Sequence, residues 1–232
     1  MRPIPPPLML FAAGLGTRMG TLTATRPKPL VTVAGKPLID HALALADEAG
    51  ITRIVANTHY LPHQIEIHLS TRAVTFSRET PRILETGGGL RRARPMLGES
   101  PVLTLNTDAV WTGENPLQQL IRAWDGDRMD GLLLLLPPDR ATGHAGAGDF
   151  LMDGDNRLAR AAGASGPVYL GAQMIRTEGL SDIDAEVFSL NLLWDRMIAQ
   201  GRLFGLIHNG GWCDVGRPEG IALAEALLTS SP

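Results

Sequence analysis

Leu10-Phe-Ala-Ala-Gly14-Leu-Gly16-Thr-Arg18-Met-Gly20, followed by Arg26-Pro-Lys28-Pro-Leu30, is the stretch on which the fold turns. The short apolar run from Leu8 to Ala12 ends abruptly in glycines, which is how a central parallel strand buried on both faces enters a loop. Small residues from Ala12 to Gly14 and at Gly16 leave backbone N–H groups open where a bulky side chain would block a phosphate. The loop lacks the dinucleotide fingerprint, because G-x-G-x-x-G places its third glycine where this chain has Met19, and it is not G-x-x-x-x-G-K-[ST] either. A dehydrogenase and a P-loop enzyme are both weakened as readings. What sets the loop apart is charge: Arg18 and Lys28 lie close enough in sequence to converge on one polyphosphate from the loop's two ends.

Outward from this loop, helices alternate with short apolar strands. Leu38, Ile39, Ala42, Leu45 and Ala46 recur at helical spacing behind Pro37, taken as the first helical position, until Gly50 ends the run. Strands follow at Arg53 to Asn57, Ala73 to Ser77 and Val102 to Leu105, separated by helical stretches from about Leu61 to Leu69 and Thr86 to Arg94. Asn115-Pro116 reads as an N-cap and first position of a helix running to about Trp124. Gly131 to Leu136 reads as a buried strand. The alternation implies βαβ crossovers, hence an α/β fold with a Rossmann-like, mixed but mostly parallel central sheet flanked by helices. After residue 137 the rhythm changes to a glycine-rich segment, a weak strand near Asp149 to Met152, a longer one from Val168 to Ile175, a helix capped near Ser189 and a last helix from Pro218.

The 232 residues carry 21 Lys+Arg against 24 Asp+Glu, a net charge of −3, which argues against a nucleic-acid binder. With 44% hydrophobic and 19% charged residues, the composition is that of a globular protein. No apolar stretch approaches the roughly 20 residues of a membrane span, and the prolines of the amino-terminal Met1-Arg-Pro-Ile-Pro-Pro-Pro break up any secretory signal. Cys213 is the lone cysteine, which favours a reducing cytoplasmic compartment. One domain over residues 1–232 is expected, with halves that part at about residues 136 and 137.

Two acids stand where a metal would be useful. Asp108 follows the strand Leu103-Thr-Leu, at the edge where open parallel sheets bind ligands. Asp214 lies between Trp212 and Gly216, just before the last helix. Each alone reads as readily as a cap or loop residue, but a nucleoside triphosphate arrives with Mg²⁺, and that ion typically takes one or two carboxylates. A second glycine run, Leu84-Glu-Thr-Gly-Gly-Gly-Leu90, offers bare backbone as a wall for a base. No Ser/His/Asp order or G-x-S-x-G supports hydrolase chemistry.

Taken together, Ala12-Ala-Gly-Leu-Gly-Thr-Arg-Met19, Pro27-Lys-Pro29, Asn106-Thr-Asp108 and Trp212-Cys-Asp214-Val-Gly216 resemble the motifs of the sugar-phosphate nucleotidylyltransferases. Thr21 and Thr107 depart from that pattern, which has Pro and Gly there. The form of the Leu84 to Gly89 loop and the Gly148-Asp149-Phe150 segment resemble the compact N-acetylmuramate α-1-phosphate uridylyltransferase subgroup. The resemblance implies the nucleotide-diphospho-sugar transferase fold, with a nucleotide-binding half to about residue 136 and a sugar-phosphate-binding half from about 137, and transfer of a nucleoside monophosphate from a triphosphate, UTP favoured, to a sugar 1-phosphate. It implies Mg²⁺ on Asp108 and Asp214, with Arg18 and Lys28 completing the catalytic set. Ala12, Ala13, Gly14, Gly16, Thr17, Glu79, Thr86 and Gly87 join Arg18 and Lys28 around the nucleotide, and Asn106, Asp149, Gly171 and Asn191 face the sugar. Guanylyl transfer to mannose 1-phosphate and thymidylyl or uridylyl transfer to glucose 1-phosphate stay open. So does a non-catalytic subunit that binds nucleotide sugars, although such a subunit has no need to keep both acids and both cations.

Overall fold

The computed structural model describes residues 4–230; Met1-Arg-Pro3, the start of the proline-rich stretch, and Ser231-Pro232 lie outside them. Strand β1 (Leu8–Phe11) runs into two segments of 3₁₀ helix, Thr17–Thr23 and Lys28–Leu30. The short pair β2 (Thr32–Val33) and β3 (Lys36–Pro37) then leads to α1 (Leu38–Glu48), β4 (Ile54–Thr58), α2 (Pro62–His68), β5 (Val74–Arg78) and α3 (Glu85–Leu97). Next come β6 (Val102–Asn106), β7 (Ala109–Gly113), α4 (Pro116–Ala123), β8 (Gly131–Leu136) and β9 (Ala141–Thr142). The chain closes with β10 (Phe150–Met152), β11 (Leu158–Arg160), β12 (Val168–Ile175), α5 (Asn191–Ala199), β13 (Leu203–Ile207), β14 (Gly210–Asp214) and α6 (Glu219–Ser230).

Seven strands form the central sheet in the order β13-β8-β12-β6-β1-β4-β5. All neighbours run parallel except β12, which is antiparallel to both β6 and β8. The sheet is sandwiched, and its strands show it residue by residue. Leu8 and Leu10 of β1 and Leu132, Leu134 and Leu136 of β8 enter one core, which also takes Ile39, Ala42 and Ala46 of α1 and Leu117 and Leu120 of α4. Met9, Leu133 and Leu135 enter the other, with Leu90 and Leu97 of α3 and Leu193 and Trp194 of α5. Strands wetted on neither face have no reason to alternate with polar residues, and Leu132 to Leu136 do not. One polar group inside this sandwich is satisfied by its neighbours: the Gln173 amide donates to Thr104 Oγ1 at 3.1 Å and accepts the Trp194 indole N–H at 2.9 Å.

Most sequence-expected elements are present within a residue or two, including α4, where the Asn115 side chain accepts the N–H groups of Leu117 and Gln118. Several features differ, beginning with the two- and three-residue strands β2, β3, β9 and β11, too short to carry a pattern and not expected from sequence. Pro37 is not the first helical residue but closes β3 at extended backbone angles and caps α1. β7, β13 and β14 are not expected from sequence: β7 is short and half-exposed, and the last two are divided by His208-Asn209 and rich in glycine, so no clean alternation marks them. β7, β14 and β9 form a separate three-stranded sheet. At the β13–β14 turn His208 is fully buried, its ring edge-on to Trp111 with centroids 5.1 Å apart. Gln119 Oε1 accepts the Asn209 N–H at 2.9 Å, so the Gln119 amide nitrogen, 2.8 Å from His208 Nδ1, is the donor in that contact. Among the described residues no helix is long and apolar enough to cross a membrane.

Candidate active site

β1 lies between β6, on the side reached by the later crossovers, and β4, on the side of the first ones, and at such a switch in strand order the loops beyond the carboxyl ends diverge and leave a crevice. A cleft of about 200 Å³ occupies that place, walled by Phe11 to Gly14 on one side and by Ile83, Glu85 and Thr86 on another, with Lys28, Asn57, Glu79 and Asn106 to Asp108 around it.

The two acids meet because of the small sheet. Asp108 ends the turn from β6 into β7, and the antiparallel β7–β14 register sets Asp214 opposite Ala109. The Val215 N–H donates to the Asp108 carbonyl at 2.8 Å, closing the pair. Lys28, only 8% exposed, donates from Nζ to Asp108 Oδ2 at 2.8 Å, so a nearly dehydrated ammonium has that carboxylate as its counter-ion. Burial and then the negative Asp108 push the Asp214 carboxyl up from its ordinary range, against the opposing pull of Lys28, Arg18 and His144. Arg18 therefore lies within electrostatic reach of the acids, but it is exposed and outside the cleft wall. No cluster of three or more His, Cys, Asp or Glu residues suited to a metal occurs among the described residues. Two carboxylates suit Mg²⁺, which leaves most of its shell to phosphate oxygens and water, and do not suit a structural zinc.

Ala12, Ala13 and Gly14 line the cleft, although the Ala12 N–H is already donated to Asn57 Oδ1 at 2.7 Å. Gly16, at φ +66°, is tucked against Lys28 and Thr23 and shapes the loop, while the exposed Thr17 starts the first 3₁₀ segment away from the cleft wall. Glu79 is buried and both its oxygens accept protein hydrogen bonds, from Asn57 Nδ2 and from the Leu84 N–H, each at 2.7 Å. Thr86 faces the cleft, and its hydroxyl accepts the Leu190 N–H at 3.0 Å.

The second glycine run is not the bare wall expected from sequence. Its glycines belong to the first turns of α3, where a Cβ on Gly87 would stand 2.4 Å from the Phe188 ring, and the Gly87 and Gly88 N–H groups both donate to the Phe188 carbonyl. Missing side chains here make room for protein, so Gly87 is turned away from the cleft, and Glu85 and Thr86 take its place there.

Among the residues expected to face the sugar, Asn106 and Gly171 come together. Gly171, at φ +82°, sits in the irregular stretch of β12 between Tyr169 and Gln173, and any Cβ on it would lie 2.7 Å from the Asn106 amide. Asp149 instead accepts the Tyr169 N–H at 2.8 Å, and Asn191 is an exposed residue opening α5 whose carbonyl accepts from Arg160. Sequence reasoning missed Asn57; its signal was a single amide in the otherwise apolar start of β4, Ile54-Val-Ala-Asn57.

A family profile described as "MobA-like NTP transferase domain" matches residues 8–142. The chain is 38% identical to the N-acetylmuramate alpha-1-phosphate uridylyltransferase of Caulobacter vibrioides, over 96% of this chain and 97% of that one. It is 34% identical to the protein of the same name from Neisseria meningitidis serogroup B, over 94% and 96% of the two chains. Among solved structures, UDP-glucose pyrophosphorylase from Acinetobacter baumanii superposes with a TM-score of 0.76 at 19% identity, covering 95% of this chain and 92% of that one. The fold is thus that of the nucleotide-diphospho-sugar transferases.

Proposed function

Because the chain belongs to the MobA-like NTP transferase family and is a nucleotidyltransferase, we propose that it transfers UMP from UTP to N-acetylmuramic acid 1-phosphate, giving UDP-N-acetylmuramic acid and pyrophosphate. The observation that carries the reaction class is the cluster of Lys28, Asp108 and Asp214 at one end of a cleft walled by Ala12 to Gly14. The choice of substrates is supported by the near full-length similarity to two uridylyltransferases of that specificity.

An oxygen of the sugar 1-phosphate attacks the α-phosphorus, and the bond from that phosphorus to the oxygen bridging to the β-phosphate breaks, its electron pair leaving with pyrophosphate. The nucleophile is already an anion, so the protein needs no general base and forms no covalent intermediate; it aligns two polyanions and offsets their charge. Asp108 and Asp214 are the residues to hold Mg²⁺, which when bound supplies charge neutralisation between the reactants. Lys28 is poised to exchange its bond to Asp108 for the departing phosphates, and Arg18, free to swing at the surface, adds a forked donor. Asn106 and Gly171 bound the sugar side. We further infer that residues up to about 136 hold the nucleotide and those beyond about 137 the sugar phosphate, within one domain. A reducing cytoplasmic setting and a part in recovering cell-wall sugar complete the proposal.

The substrates are tested by incubating the protein and Mg²⁺ with UTP, dTTP, GTP, CTP or ATP against a panel of sugar 1-phosphates while measuring pyrophosphate. UTP with N-acetylmuramic acid 1-phosphate is expected to give the highest kcat/KM. A win of more than about tenfold for GTP with mannose 1-phosphate, or for glucose 1-phosphate with UTP or dTTP, overturns the substrate assignment and leaves the reaction class standing.

Lys28→Ala tests the leaving-group assignment. It is expected to lower kcat/KM for UTP while the KM for the sugar 1-phosphate stays nearly unchanged. Equal losses toward both substrates would assign Lys28 to holding the fold.

A further inference from the structure

Parallel pairing of β1 with β4 sets Phe11 opposite Asn57, and the ladder stops there. The next donor along the chain, the Ala12 N–H, finds the Asn57 side chain, Oδ1 at 2.7 Å, in place of a main-chain carbonyl. The orientation of that amide is dictated from its other end. Nδ2 donates to Glu79 Oε1 at 2.7 Å, and a carboxylate has no donor to offer, so the amide oxygen is left for Ala12. Glu79 is itself fixed: its N–H donates to the Thr58 carbonyl, and its second oxygen accepts the N–H of Leu84, the residue that caps α3. Asn57 and Glu79 are 3% and 0% exposed, and a Cβ on Gly89 would fall 2.5 Å from the Glu79 carboxylate and 3.0 Å from the Asn57 amide, so α3 is pressed onto the pair with no space to spare.

We propose that Asn57 and Glu79 are a positioning pair that sets the separation of the two walls of the nucleotide cleft. One wall, Ala12 to Gly14, hangs on the amide; the other, Ile83 to Thr86, hangs on the carboxylate. Neither side chain needs to reach the reacting phosphorus. With the Ala12 N–H taken, the amides left to the ligand on that wall are those of Ala13 and Gly14. The inference rests on the reading of the cleft as a nucleotide site and adds what holds it in shape.

The chain of bonds has a direction that a swap can test. In Asn57→Asp two carboxylates face each other; in Glu79→Gln two amides do, and one N–H of the pair is left against another donor. The double variant N57D/E79Q restores the order. The carboxylate introduced at position 57 accepts from both the Ala12 N–H and the amide introduced at position 79, and the oxygen of that new amide accepts from Leu84. With UTP, Mg²⁺ and N-acetylmuramic acid 1-phosphate, each single variant is expected to raise the KM for UTP by about tenfold, the scale of one mismatched buried hydrogen bond. The KM for the sugar 1-phosphate should stay within about twofold, and the double variant should recover the UTP value to within about threefold. A damaged fold would move both KM values and would not be rescued by the swap.

Unchanged UTP KM in the singles, parallel changes for both substrates, or no recovery in the double variant overturns the proposal. Should the singles not fold, the wild-type chain decides by amide hydrogen exchange: the Ala12 amide is expected to exchange slowly and equally with and without UTP, while Ala13 and Gly14 gain protection. A fast Ala12 amide, or one that UTP protects, overturns it. Wild-type protein that binds no UTP in the presence of Mg²⁺ overturns the nucleotide reading of the cleft, a failure distinct from a cleft that binds UTP regardless of this pair.

Discussion

Alanine at Asp108 or at Asp214 is expected to lower kcat by at least ~10²-fold, the scale at which removal of one preorganised charge-stabilising group is felt. Chelation by EDTA should abolish turnover and added Mg²⁺ should restore it. The two variants are expected to part company in stability. Asp108 is the counter-ion of the nearly buried Lys28, so Asp108→Ala strands an ammonium where water hardly reaches, and the midpoint of thermal unfolding should fall. Asp214 carries a carboxyl that burial and its neighbour Asp108 both disfavour, so Asp214→Ala should unfold at an unchanged or higher temperature while being equally inactive. Initial-rate measurements with circular-dichroism melting on the same preparations separate the outcomes. A folded variant with near wild-type kcat removes that residue from the site.

Stability should fall steeply with acid, with His208 as a main contributor. Burial holds its imidazole down to about 4, below the ordinary value of 6.5, and the positive Arg140 adds to that push. The carbonyls of Gly211 and Thr112 and the negative Glu114 pull the other way without offsetting it. A group that takes up its proton more readily unfolded than folded leaves stability complete above pH 6.5 and erodes it as the pH falls toward 4, below which the loss levels off. At about 1.4 kcal/mol per pH unit, the erosion attributable to this one ring is on the order of 3 kcal/mol. Chemical denaturation at intervals from about pH 7.5 to about 4.5, the span over which the proton is taken up, checks it, with His208→Gln as the control. The variant's stability should change less steeply with pH; parallel curves would assign the acid sensitivity to other groups.

Much of this molecule is legible in its sequence because much of it is local. The run Leu8 to Ala12, the Asn115-Pro116 cap and the five leucines of β8 each state their structure in a few adjacent residues. The acids are legible for the same reason: each stands at the end of a strand in a compact motif. Asn57 is not, because its meaning lies in partners at positions 12 and 79, brought to it by the sheet register. The glycines of Gly87 to Gly89 mislead in an instructive way. Sequence shows that a side chain is missing but not what fills the space, and here it is Phe188, Glu186 and Glu79 rather than a base. β7 and β14 escape because neither has an apolar face of its own until the other is beside it.

The ladder between those two strands also fixes when the protein can first work. Asp214 is made long after Asp108, and only β14 carries the second acid to the first. A chain still being made can assemble β1, β4, β5 and β6 side by side while its later strands are unmade, but it has one of the two acids proposed to hold Mg²⁺ and lacks β13 at the sheet edge. Such a long-range contact closes late and slowly. On the proposed function, catalytic competence is expected only once β14 has been made, since a fragment that stops short of it lacks one of the two acids proposed to hold Mg²⁺.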